Sequence, residues 1–177
     1  QAERKPFATS FVDGTRAAGQ LRYPATLLNP NAGTVAMWII PQRALGPTAT
    51  IFFEANAGTE NQNQVFIWQE SGVWRAGICA GTESVGAVGG NTPDTWPAGV
   101  PIFVALTWKN INSGQANAEI AFYKNGQYLH GRSDVKLDLP QPTILAVGSR
   151  ATYPAFWANS LIDELLVAPF AATPEQI

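Results

Sequence analysis

The sequence predicts an all-β sandwich, and three observations predict it. Short runs of β-branched and aromatic residues recur along the chain, each bounded by Gly, Pro, Asn or Asp. No stretch of useful length repeats its apolar residues at the helical spacing. Apolar residues make up 46% of the chain and charged residues only 14%, against the ~25% charged that is usual, so there is material for a sizeable core. The 177 residues suit one domain, taken here as 1–177. The chain starts abruptly at Gln1, and the expectation is a domain excised from a longer protein.

The elements follow in order. Strands are expected at 34–40 (TVAMWII), 49–54 (ATIFFE), 64–69 (QVFIWQ) and 73–78 (VWRAGI). Others are expected at 101–108 (PIFVALTW), 117–124 (NAEIAFYK), 127–132 (QYLHGR), 143–148 (TILAVG) and 160–167 (SLIDELLV). The loops at 55–64 and 79–100 are long and polar or Gly-rich, the kind that carries binding on a rigid sandwich. A three-residue turn at Glu70-Ser71-Gly72 would place Trp68 opposite Trp74, as a stabilising pair or a ligand platform. Asn125-Gly126 is a strong two-residue hairpin signal. Its register pairs Tyr123 with Tyr128, Phe122 with Leu129, Ala121 with His130 and Glu119 with Arg132. Ile120, Phe122 and Leu129 then face the core, while Tyr123, Tyr128, His130 and Arg132 share the other face. Helix is limited to a turn or two, the best signal being Thr173-Pro174-Glu175 near the end of the chain.

Composition excludes several classes. A formal net charge of -2 gives no basic face for nucleic acid or a membrane surface. No apolar run is long enough for a helical membrane span. Cys79 is the only cysteine, so no intrachain disulfide forms, and its "AGICAG" setting suits a small core residue. One histidine, no Gly-x-Ser-x-Gly elbow and no His/Cys cluster leave little for a triad or a zinc site. The one adjacent acid pair, Asp163-Glu164, alternates across a strand and cannot flank a glycosidic bond.

Several motifs resemble the laminin-G-like, concanavalin A-like jelly rolls, in order, over nearly the whole chain. "TVAMWIIP" (34–41) is similar to that family's Phe-Thr-Ile-Ser-Ala-Trp-Val-Lys-Pro, with Trp38 and Pro41 on its Trp and Pro. Val104 to Trp108 match the second half of its Trp-His-His-Val-Ala-Val-Thr-Tyr, although Pro101-Ile102-Phe103 replace the start. "EIAFYKNGQYL" (119–129) looks like its Asn-Gly hairpin, with Lys124 where an apolar residue is usual, and "ILAVGSR" (144–150) resembles the next strand. Ile162-Asp163-Glu164 and the closing Thr173-Pro174-Glu175-Gln176-Ile177 hold the places of its final strand and turn. The resemblance implies a two-sheet antiparallel jelly-roll sandwich that binds glycans or protein partners, often with calcium.

The leading expectation is a non-catalytic, lectin-like domain that binds a glycan or polysaccharide, extracellular, at a cell surface or on a virion. The runner-up is a structural or adhesion module, such as a phage or surface-layer appendage, that contacts protein; a glycoside hydrolase comes last. Candidate sugar ligands are the face bearing Tyr123, Tyr128, His130 and Arg132, and the loop residues Trp96, Asn61, Asn63 and Asn91. Calcium takes six to eight oxygens. The resemblance makes the first and last strands neighbours, which offers Asp13 and Asp163 as ligands of a structural Ca2+. The alternative is that Asp13 begins a turn and Asp163 is an ordinary hydrogen-bonded strand acid.

Overall fold

The computed structural model describes residues 9–10, 20–45, 49–58, 62–81, 95–152 and 156–177. It contains β1 (Thr9–Ser10), β2 (Leu21–Tyr23), β3 (Gly33–Pro41), β4 (Thr50–Asn56), β5 (Gln64–Glu70) and β6 (Val73–Cys79). There follow β7 (Ile102–Lys109), β8 (Ala118–Lys124), β9 (Gln127–Val135), β10 (Ile144–Val147) and β11 (Ser160–Ala168). The helical elements among the described residues are two 3-10 turns, at Ala25–Leu27 and Pro174–Gln176. All nine expected strands are present; β1 and β2 are too short to leave a pattern in the sequence.

The strands form two antiparallel sheets, in the orders β1-β11-β3-β7-β8-β9 and β2-β10-β4-β5-β6. This is the expected jelly-roll sandwich. Side chains alternate across each strand, so every cross-strand row faces either the core or the outside. In the six-stranded sheet one inward row runs Val167–Val35–Leu106–Phe122–His130. In the five-stranded sheet the inward rows include Leu145–Ala55–Val65–Ile78 and Val147–Phe53–Ile67–Ala76. A bulge in β4 turns both Phe52 and Phe53 into the core. Trp108 fills the end of the sandwich beside Gly33, where any Cβ would collide with its indole.

Two register expectations are corrected. The turn between β5 and β6 has two residues, Ser71 (φ 52°) and Gly72 (φ 77°), and Glu70 pairs with Val73. Trp68 therefore sits opposite Arg75, and Trp74 opposite Gln69. Trp74 enters the core and stacks on Phe52 at 5.4 Å, while Trp68 points outward. In the second hairpin Asn125 (φ 50°) and Gly126 (φ 76°) make the expected turn, and Tyr123 does pair with Tyr128. A bulge then intervenes: Phe122 pairs with His130, Ala121 with Gly131 and Ile120 with Arg132. One extra residue in β9 exchanges the faces of everything beyond it.

The outer face of the six-stranded sheet is partly covered by the chain's own last residues. The Thr34 hydroxyl donates to the Phe170 carbonyl and accepts the Ala172 N–H, both at 2.8 Å. Ile177 packs over Ala36, Ala105 and Tyr123, small residues that leave it room. The expected terminal turn forms, its Thr173 N–H donating to Gln176 Oε1 at 2.9 Å.

Candidate functional site

The four residues expected on one face are divided between two. Tyr123 and Tyr128 meet edge-on at 5.9 Å on the outer face of the six-stranded sheet. Tyr123 lies under the terminal segment at 7% exposure, whereas Tyr128 is 61% exposed and lies across Gly131. Burial, then Tyr128 and Glu175, push the Tyr123 hydroxyl above the usual tyrosine range. His130 turns inward against Phe122 at 5.6 Å, and burial holds it below the usual histidine range. Arg132 shares the row of Ile120, exposed at the sheet edge.

Two of the loop candidates, Trp96 and Asn63, make local hydrogen bonds. The Trp96 indole N–H donates to its own loop, at the Val100 carbonyl (2.9 Å), and its ring packs on the core beneath Lys124 Nζ, 5.2 Å from the ring centre. Asn63 takes the left-handed conformation, and its Oδ1 accepts the Gly81 N–H at 2.7 Å. Asn61, Asn91 and Asp13 lie outside the described residues. Asp163 stands opposite Trp38, and its Oδ1 accepts the N–H of Glu164, which is left-handed (φ 50°) at the bulge in β11. It thus closes a bulge. Among the described residues no three His, Cys, Asp or Glu side chains converge on a metal position. β1 does pair with β11, so the expected adjacency of the chain's first and last strands holds.

The richest set of recognition groups lies elsewhere, on the outer face of the five-stranded sheet. One row there runs Arg22–Ala146–Glu54–Phe66–Gly77, the next Ile144–Asn56–Gln64–Cys79, and a third pairs Trp68 with Arg75. The middle is a buried polar network. Asn56 Nδ2 donates to Glu54 Oε1 (3.2 Å) and Gln64 Oε1 (3.4 Å), while Asn56 Oδ1 accepts the Gly58 N–H (2.7 Å). Gln64 Nε2 reaches the Cys79 sulfur at 3.7 Å. Towards the open end, Trp68 leans on Phe66 at 5.0 Å. Arg75 holds Glu70 only loosely, at 3.5 Å with both side chains more than 40% exposed, a pair worth little and easily exchanged. The Trp68 indole N–H is buried and has no partner among the described residues. An indole and a guanidinium on one rigid sheet can stack on an apolar ring face and hydrogen-bond a hydroxyl beside it, while the buried amides behind them hold the strands in register. The sequence carried this signal in Glu54, Gln64 and Trp68, whose alternation with Phe53, Val65 and Ile67 marks a second, polar face. The wrong turn length hid it.

The chain matches the family model of the concanavalin A-like lectin/glucanases superfamily over residues 13–177. Among curated proteins none matches. Among solved structures, it is similar to a native heptameric SAP-like pentraxin from Limulus polyphemus (TM-score 0.64, 17% identity, 96% of this chain and 77% of that one). It is also similar to the NanB sialidase of Streptococcus pneumoniae (TM-score 0.63, 14% identity, 95% and 26%). A third is domain 4 of AbnA, an extracellular arabinanase from Geobacillus stearothermophilus solved with arabinotriose (TM-score 0.54, 23% identity, 89% and 69%). The chain spans about a quarter of the sialidase's length. At these identities the likeness is one of fold.

Proposed function

The chain belongs to the concanavalin A-like lectin/glucanases superfamily, and we propose that within it this domain is a non-catalytic carbohydrate-binding module. The observation that carries the reading is the partly exposed Trp68–Arg75 pair beside Phe66, braced by the buried Glu54–Asn56–Gln64 network. Trp68 offers a half-buried ring for stacking, and Arg75 a partly exposed forked donor. The arabinotriose complex of the AbnA domain supports the same class of ligand on this fold. A binding rather than hydrolytic role is supported by Asp163 and Glu164 serving a bulge rather than facing each other across a cleft. The setting we propose for such a module is extracellular, at a cell surface or on a virion.

The test is a glycan array followed by calorimetry on the best ligand. Trp68→Ala and Arg75→Ala are each expected to weaken binding about tenfold or more, the loss of one stacked or charge-assisted contact. Tyr128→Ala, on the opposite sheet, is expected to leave affinity unchanged. The reverse pattern moves the site to the six-stranded sheet. A folded wild-type domain that binds no glycan removes the reading. The second reading, a module that contacts protein, rests on Trp38, Leu166 and Tyr128, all exposed on the outer face of the six-stranded sheet.

A further inference from the structure

Beside the β5–β6 turn, two neighbouring rows face outward, Trp68–Arg75 and Glu70–Val73. Directly opposite residues hold their Cβ atoms about 5 Å apart and diagonal ones about 7–8 Å, within reach of long side chains. Arg75 therefore has an indole beside it and a carboxylate on its diagonal. The carboxylate contact is incomplete. Glu70 Oε2 lies 3.5 Å from Arg75 Nε, and that Nε has no hydrogen-bond partner among the described residues. The Arg75 and Glu70 side chains stay 41% and 46% exposed. The other charged side chains of this face, among the described residues, are engaged: Glu54 by Asn56, and Arg22 by Gln20 and the Ala151 carbonyl.

A guanidinium presents a planar fork that suits two parallel bonds to one carboxylate. At 3.5 Å and this exposure, Glu70 contributes little and is readily exchanged. A neutral sugar would leave Arg75 with Glu70 and use the indole alone. A sugar bearing a carboxylate can take the fork side by side while its ring rests on Trp68. Given the carbohydrate role proposed above, on which this step rests, we propose that the ligand is an acidic glycan whose carboxylate displaces Glu70 from Arg75. Glu70 itself shows that a carboxylate reaches this guanidinium on the outer face of the sheet, which favours a carboxylated sugar over a sulfated one. In the free domain Glu70 occupies that position and keeps the charge of the site balanced.

The test is an array of neutral, carboxylated and sulfated glycans, printed in duplicate with one copy amidated at its carboxyls. The wild-type chain is expected on carboxylated spots and is expected to leave them once they are amidated. Arg75→Lys keeps the charge and loses the fork, and should weaken these spots about tenfold. Glu70→Gln removes the competing carboxylate and should strengthen them about threefold, the worth of a surface ion pair. Binding to neutral spots that depends on Trp68 and ignores amidation overturns the acidic ligand and leaves the carbohydrate role standing. Binding confined to sulfated spots does the same. No binding to any spot removes both. Carboxylate binding that is unchanged in Arg75→Lys, or weakened in Glu70→Gln, also overturns the exchange. If either variant fails to fold, as read by circular dichroism, the amidation comparison on the wild type decides.

Discussion

Phe122 and Tyr128 illustrate how much a single position depends on which face it occupies. Phe122 is fully buried between Trp74 and His130, so Phe122→Ala should cost about 3–5 kcal/mol through the cavity it leaves. Tyr128 is mostly exposed, and Tyr128→Ala should cost about 1 kcal/mol or less, the value of one cross-strand aromatic pair. Urea unfolding of the two variants reads this difference directly. A similar contrast concerns Asp163, whose carboxylate accepts the Glu164 N–H at the bulge. As a bulge-closing acid, Asp163→Ala should lower stability by about 1 kcal/mol, equally with calcium and with EDTA. A loss present only in calcium, together with chelator-sensitive melting of the wild type, would instead make it a metal ligand shared with Asp13. At this scale the sequence was legible wherever neighbours settle a residue's role. The alternation placing Phe122 inward and the Asn125-Gly126 turn are both local signals. His130 was misplaced because its orientation depends on one extra residue in β9, which no local pattern announces.

The strand β9 shows the same lesson at the level of the element. It is an edge strand, largely exposed, and its bulge carries the chain's one histidine under the sandwich. Edge strands need such irregularities to discourage pairing with other chains. The bulge also gives the edge a pH dependence. Burial lowers His130 below its ordinary value of 6.5, so the unfolded chain takes up its proton first as pH falls. Stability is then full above about pH 6.5 and declines as pH drops through the lower, folded value. The charged neighbour on the same side of β9 is the exposed Arg132, and Trp74 and Phe122 offer no counter-charge, so burial alone lowers the value. Melting temperature measured from pH 7.5 to 5 should fall in the wild type and fall less in His130→Phe. Equal slopes would place the titrating group elsewhere. The paired strands themselves were readable because β-branched and aromatic runs are bounded by turn residues. Their faces were readable only where the turn length was also right, as the displacement of Trp68 from Trp74 shows.

For the whole molecule, the order of motifs along the chain was enough to anticipate the sandwich, since each strand must bury one face against another sheet. The candidate site was not legible in the same way. Trp68, Arg75 and the buried Glu54, Asn56, Gln64 and Phe66 beside them come from β4, β5 and β6 and meet on one side of the sheet only once the rows are aligned. Tyr123, Tyr128, His130 and Arg132 lie close in sequence, and a bulge was sufficient to separate them.

The central place of β3 has a further consequence, for the order in which the molecule can assemble. β3 is bonded on one side to β7 and on the other to β11, the last in sequence of the strands described. Until the ribosome has released Ser160–Ala168, β3 has an open apolar edge, and β1 has no partner at all. Contacts so distant in sequence are slow to form. The edge of β3 that β11 covers therefore stays open until the other strands of this domain described here have been made, and its closure is a late step in assembling the sandwich.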